Sequence, residues 1–348
     1  MSSVDREEAH WALRMAGKNV TSGPFADLLR AIEEDRCDVM SRIQLSGIPI
    51  GSPLGQELLR IAIKPAIPPE EGEVEDLRPW REGEFLVLNS RHKQCGVREY
   101  GEFLNAQLKD LGTQVRAARL QDLTLLRSAR GDVLLQVEPS LLPPRFDEAL
   151  QVAAKNGARI VACIHAFSEN LFNRLLRSGL SAAVVHRDYG VRHPQLHVIP
   201  MGCPIYEPTK SVQELRAQYN LPAQATILTT FGFLTAWKRF PETAATLLPL
   251  LEPGMFLQLL CSPHFVRYVD GEKQLEAAVK GSTAVQLQTS FLPQEELAER
   301  LYASDLGFVF HGENTGSVSA ATKQFVSARC PLVVTSSNHA EDMRGASK

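Results

Sequence analysis

The side chains that can do chemistry fall in five short stretches, each expected just past the end of a β-strand. Phe231–Phe240 reads FGFLTAWKRF, where a strand ends at Gly232 and two cations, Lys238 and Arg239, precede a helix. Lys238 is placed to neutralise a diphosphate, with Arg239 as a helper, although a solvated pair of charges has the same composition. His311–Ala321 reads HGENTGSVSAA. Glu313 there can accept from hydroxyls, while Thr315, Gly316, Ser317 and backbone N–H groups can hold phosphates at a helix start. Plain capping by Thr315 or Ser317 is the other reading. His165, just after the run Arg159–Ile164, can donate to a substrate hydroxyl or carbonyl, or serve as a satisfied structural histidine. Gln94–Gly101 (QCGVREYG) offers Gly96 as the glycine at a helix start that lets backbone N–H groups approach an anion, or an ordinary turn. Glu138, after the strand at Asp132, points into the same crevice or is a turn acid.

Those positions matter because of the elements around them. From Glu84 onward, short apolar runs alternate with helical patterns. The runs are Phe85–Leu88, Asp132–Leu135, Arg159–Ile164, Ala182–Val185 and His197–Pro200. Val97, Tyr100, Leu104, Leu108 and Leu111 recur at helical spacing, and Phe146–Lys155 is a second helix. The alternation restarts after Tyr206, with strands at Ala225–Phe231, Phe256–Leu260, Val285–Leu287, Leu306–Phe310 and Pro331–Thr335. Helices are expected at Phe240–Leu251, Pro293–Ala303 and Ser317–Ala328. Continuous apolar strands alternating with helices imply parallel sheets covered on both faces, and ligands of such sheets bind beyond the carboxyl ends of the strands. The expected organisation is a helical module over residues 1–64, a linker over 65–82 rich in proline and acids, and two βα domains over 83–205 and 206–348.

Composition narrows the class. The 348 residues carry 37 Lys+Arg against 40 Asp+Glu, a net charge of −3, which gives no global electrostatic reason to expect a nucleic-acid or membrane-surface protein. The N-terminus MSSVDREEAH lacks the pattern of a secretory signal. The most apolar stretch, Thr243–Cys261, is broken by Pro249, Glu252, Pro253 and Gly254, so no membrane span is expected. Six cysteines, Cys37, Cys95, Cys163, Cys203, Cys261 and Cys330, form no CxxC pair. They read as buried reduced thiols of a cytoplasmic protein, and their spacing gives no structural zinc site.

Taken in order, the five stretches resemble retaining glycosyltransferases of the GT-B fold, family 4. The resemblance runs over roughly Glu84–Met343. It rests on Asp132–Glu138 with Ala158–Phe167, on VIPMGCP within His197–Pro204, on Gly232–Lys238 and on Glu313–Thr335. It implies an α/β architecture of two Rossmann-like domains facing a cleft, behind a small all-α segment. By the same resemblance, Lys238 grips the donor diphosphate of a nucleotide sugar, and Glu313 is the first carboxylate of an EX7E motif that touches the donor sugar. His165 lies near the reaction centre, and Gly96 faces the phosphates and acceptor. Gly232, Arg239, Thr315, Gly316 and Ser317 complete the donor side, with Arg98 and Glu138 on the acceptor side. The implied chemistry is transfer to a glycan or lipid-linked acceptor in bacterial polysaccharide or glycoconjugate synthesis. Charge stabilisation and same-face attack replace a carboxylate nucleophile, and no metal or other cofactor is called for.

Three departures accompany the resemblance. Phe233 stands where many relatives carry Arg, and Ala321 stands where the second EX7E carboxylate would fall. Relatives also continue with another strand and a C-terminal helix, so the C-terminal domain is expected to be incomplete. These departures keep open a catalytically impaired GT-B-like binding or scaffolding protein, and less prominently a nucleotide-sugar epimerase. The segment WALRMAGKNVTSGPFADLLRAI is similar to helical modules attached to some bacterial polysaccharide glycosyltransferases, which implies docking to a protein partner. A peripheral place at the inner face of the membrane is the alternative to a purely cytoplasmic one.

Overall fold

The computed structural model describes residues 48, 83–90, 95–263, 269–311, 317–336 and 338–343. The helical module and the linker therefore lie outside the described residues, apart from Ile48. The chain divides into two compact units, Met1–Ile199 and Pro200–Lys348. The division falls inside the VIPMGCP stretch.

The first unit is built on six parallel strands. They are β1 (Phe85–Asn89), β2 (Val115–Arg119), β3 (Asp132–Val137), β4 (Arg159–Ile164), β5 (Ala182–Val185) and β6 (Leu196–Val198), in spatial order β2-β1-β3-β4-β5-β6. Consecutive residues Leu86, Val87 and Leu88 are all fully buried, as a strand covered on both faces requires. The covering helices are α1 (Gly96–Asp110), α2 (Leu123–Ser128), α3 (Phe146–Lys155) and α4 (Glu169–Arg177). Phe146 from α3 and Phe172 from α4 enter the same core as Leu86, Leu135 and Ile160. Each such ring contributes about 1.5–3 kcal/mol of burial. Helix α4 starts where Ser168 accepts a hydrogen bond from the Leu171 N–H at 3.2 Å.

Several elements follow from the pattern with their bounds intact: α3, β4 and β5 form where the apolar periodicity places them. Strand β2 and helices α2 and α4 lie outside that expectation. The sequence VRAAR puts two arginines on a five-residue edge strand, so no continuous apolar run marks it.

The second unit repeats the plan with five parallel strands. They are β7 (Thr226–Leu234), β8 (Met255–Pro263), β9 (Val285–Gln288), β10 (Leu306–Val309) and β11 (Leu332–Val334), in the order β11-β10-β7-β8-β9. Its helices are α5 (Val212–Gln218), α6 (Phe240–Leu247), α7 (Val269–Val279), α8 (Gln294–Tyr302) and α9 (Ala320–Ser327). Phe325 on α9 lies over Gly307 on β10, where any Cβ would strike its ring.

Several boundaries in this unit differ from the sequence expectation, three of them for a clear physical reason. The strand expected to end at Gly232 runs on to Leu234, because β8 supplies a partner for every residue up to the Leu234–Pro263 pair. The helix expected to reach Leu251 stops at Leu247, with a 3-10 turn over Leu248–Leu250, since Pro249 has no N–H to continue the ladder. The helix expected from Ser317 starts at Ala320, because Ser319 is extended and its N–H is used by the His339 carbonyl at 2.9 Å.

Candidate functional site

In the second unit the chemistry gathers at the carboxyl end of β7. Gly232 has φ = 140°, a conformation that strains any side-chain-bearing residue. The Lys238 side chain, carried on the 3-10 turn Ala236–Lys238, lies against that glycine. A Cβ built on Gly232 falls on Lys238 Nζ and within 3.2 Å of Cε. The backbone torsion is what requires the glycine, and the bare Cα is also what lets the end of the lysine side chain lie this close.

Lys238 keeps part of its surface accessible, yet enough protein surrounds the ammonium to lower its pKa to about 8 by desolvation. Its ammonium has no hydrogen-bond or ion-pair partner among the described residues, while its backbone N–H donates to the Thr235 carbonyl at 3.1 Å. Among the described residues, the titratable groups facing the ammonium, Cys261 and His311, are neutral. Burial pushes the Cys261 thiol well above its ordinary range, and the lysine's charge pulls the other way. Burial, and then the charge of Lys238, lowers His311 to about 2. His311 in turn stacks on His339, with ring centroids 4.2 Å apart and planes 24° apart. A desolvated cation that meets only neutral groups among the described residues calls for a counter-charge, and an anion supplies one.

The other donor-side residues fall in different places. Arg239 is exposed in the left-handed region at φ = 50°, as the N-cap of α6. The Phe233 ring stacks on Phe291 at 6.1 Å and 22°. Ser317 is half-buried in the approach to α9. Glu313, Thr315 and Gly316 lie outside the described residues. Ala321 is buried in the core with Leu260, Val309 and Phe325, so the position of the second EX7E carboxylate faces apolar packing. Two residues on, Lys323 is paired with Asp342 at 2.8 Å, both buried. A small cavity of about 180 Å³, lined by Leu234, Cys261, Glu272, Glu276 and Thr289 among others, lies beside the same strand ends.

The first unit places its expected residues on the carboxyl edge of its own sheet. A Cβ on Gly96 would meet nothing within 4 Å, so space is open at the first residue of α1. The glycine of QCGVREYG that packing requires is Gly101, where a Cβ would land on the Asn89 amide. That amide is fixed, donating to the Arg98 carbonyl at 2.8 Å and accepting from the Ser90 N–H at 2.8 Å. The Arg98 guanidinium pairs with Glu102 one turn on, at 2.7 Å. Glu138 closes β3 and is half-buried, its carbonyl accepting from the Leu141 N–H in a 3-10 turn.

His165 is 8% exposed, and its Nε2 meets the Gln136 amide oxygen at 2.8 Å. Burial, and then His186, lowers its pKa to about 3, so the imidazole is neutral. The edge of Tyr100 packs against both His165 and His186, with centroids 5.5 and 5.2 Å away. His186, absent from the sequence reading, ends β5 as His165 ends β4, and Cys163 Sγ lies 3.2 Å from its Nε2. No local spacing signals this trio. The parallel register, with Cys163 opposite Val184, brings it together. Among the described residues, no helix is long and apolar enough to cross a membrane.

The fold agrees with known structures. HepE of Anabaena, solved with UDP and glucose, is similar over 75% of this chain and 82% of its own, at 14% identity and a TM-score of 0.56. A glycosyltransferase of Rickettsia africae is similar over 76% of this chain and 82% of its own, at 11% identity and a TM-score of 0.52. No family profile and no curated protein matches the chain by sequence. The fold is thus the GT-B type, two Rossmann-like α/β units in succession.

Proposed function

We propose that the chain is a retaining glycosyltransferase, moving a sugar from a nucleotide-sugar donor to a glycan or lipid-linked acceptor in bacterial polysaccharide or glycoconjugate synthesis. The observation that carries this reading is the Lys238 ammonium, desolvated, without a counter-charge among the described residues and seated on a glycine at the carboxyl end of β7. A nucleoside diphosphate is both the anion that fits and the leaving group whose charge needs stabilising. Each charge-assisted hydrogen bond to it is worth about 1.5–3 kcal/mol. The likeness of fold to HepE, solved with UDP and with UDP-glucose, supports a uridine donor.

In this reading Lys238 and Gly232 hold the diphosphate, with Arg239 as an outer cation. Glu313 accepts from the donor sugar's hydroxyls, and Thr315, Gly316 and Ser317 lead their N–H groups toward the phosphates ahead of α9. Arg98, Glu138 and Gly96 serve the acceptor. The step needs no cofactor, because the cation and the backbone carry the charge. It asks no proton of His165, whose neutral ring is held on Gln136. The reaction is cytoplasmic, and the N-terminal helical segment docks a protein partner.

The test is thermal stabilisation of the full chain by UDP-, GDP- and dTDP-sugars at millimolar concentration, followed by product analysis with acceptor. Stabilisation by one nucleotide class that disappears in Lys238→Ala supports the reading, and the absence of any shift rejects it. Ala321 in the apolar core and the Phe233–Phe291 stack favour a second reading, a binding or scaffolding protein that has lost catalysis. Donor binding without transfer or hydrolysis selects it.

A further inference from the structure

At the carboxyl edge of the first sheet, three side chains converge that no proposed step uses. Among the described residues, Cys163, His165 and His186 each offer one ligand atom, and these atoms all lie within 4.8 Å of one another. All three side chains are buried. Cys163 and His165 are two residues apart around the end of β4, and His186, two residues past the Val184 that pairs with Cys163, has its ring centroid 5.5 Å from that of His165.

The hydrogen bonds fix how the rings present themselves. His186 Nδ1 contacts the Ile199 carbonyl at 3.0 Å, so it carries the proton. That leaves the Nε2 lone pair facing Cys163 Sγ at 3.2 Å. His165 likewise donates from Nε2 to Gln136 Oε1 at 2.8 Å, leaving its other nitrogen as a lone pair. Each imidazole thus spends its N–H on an acceptor outside the trio. This is the arrangement that orients metal-bound histidines. Against two lone pairs, Cys163 has one thiol proton. In a tetrahedral zinc site, bonds of about 2.3 Å to sulfur and about 2.0 Å to nitrogen set these atoms about 3.5 Å apart. The Cys163–His186 pair is already near that spacing.

We propose that Cys163, His165 and His186 form a three-ligand site for one zinc-class divalent cation, buried at the carboxyl edge of the first sheet and tying β4 to β5. On binding, the Cys163 thiol gives its proton to solvent and the thiolate bonds to the cation. The two neutral imidazoles donate their lone pairs, no electron is transferred, and a water fills the fourth position. The site is independent of the donor-binding reading, since it lies in the other unit and its readout is spectroscopic.

The experiment is titration of the full chain, stripped of metal, with Co2+ as the spectroscopic stand-in for Zn2+. The expected result is a thiolate-to-cobalt charge-transfer band with tetrahedral d–d bands, saturating at one equivalent and bleached by one equivalent of Zn2+. Cys163→Ser and His186→Gln should abolish the band, while Cys95→Ser keeps it. Circular dichroism and a thermal melt establish that each variant is folded. Because these side chains are buried, X-ray absorption of the zinc-loaded wild-type chain provides a check that needs no variant. It should show one sulfur and two imidazole nitrogens around the metal. A folded wild-type chain without the band, a band that survives Cys163→Ser, or a shell without sulfur overturns the proposal.

Discussion

At the carboxyl edge of the second sheet a cation lies over a strained glycine, and the groups facing it, Cys261 and His311, are held neutral by burial. At the corresponding edge of the first sheet the polar side chains are hydrogen-bonded, and one ligand atom each of Cys163, His165 and His186 lies within 4.8 Å of the others. The two sheets share a construction, since parallel strands deliver their carboxyl ends to one side in both. The difference lies in what the first residues past the strands supply. A positive charge that meets only neutral groups among the described residues favours an anion, and a set of neutral donors favours a cation.

The sharpest way to break this contrast is to remove the charge. Lys238→Ala should weaken UDP binding by about 2–3 kcal/mol, roughly 30- to 150-fold, by calorimetry. His186→Gln should leave that affinity within about twofold. Equal losses in both variants would erase the distinction between the two edges.

Gly232→Ala should destabilise the chain by about 2 kcal/mol in urea unfolding, because the backbone torsion strains a side-chain-bearing residue, while the new methyl pushes the end of the Lys238 side chain aside. It should also weaken UDP binding by displacing the ammonium. A variant as stable as wild type would mean that neither constraint is real.

The pH dependence sharpens the same point. Lys238 is lowered to about 8, so the charged form is lost as pH rises through that value. UDP affinity should hold between pH 6 and 7 and then fall, approaching tenfold per pH unit well above pH 8. Lys238→Arg should flatten the alkaline limb, since a guanidinium stays charged. A wild-type curve flat through pH 9.5 would count against Lys238 as the anion's partner.

The smallest effect concerns Glu99, next to Tyr100 on α1. Burial, and then Glu102, raises it to about 7, so its protonated form is the stable one. Its contribution is present below about pH 4.5 and is lost as pH rises through about 7. Glu99→Gln should therefore stabilise the chain at pH 8, by roughly 1 kcal/mol, and leave it nearly unchanged at pH 4.5. Equal effects at both pH values would mean that ionisation is not what the helix resists.

Much of the fold was legible because burial leaves a mark on composition. Strands covered on both faces need unbroken apolar runs, and β4, β5 and α3 stand where those runs and periodicities put them. Edge strand β2 was not legible, since its arginines hide the pattern. Lys238 was legible as a cation just past a strand, but its desolvation and its seat on Gly232 were not, because both depend on β7 continuing to Leu234. Gly101 was the opposite case. It was present in the quoted stretch, yet only its contact with Asn89 shows why a side chain is excluded there.

The sequence by itself determined the alternation of strands and helices, and with it which residues follow each strand end. Those are local properties, set by periodicity and by turn chemistry over a few residues. The tertiary structure decided which strand ends become neighbours. Cys163, His165 and His186 lie on two strands, and Cys163 and His186 are 23 positions apart. Parallel pairing, which closes only when the intervening helix packs back on the sheet, sets these side chains together.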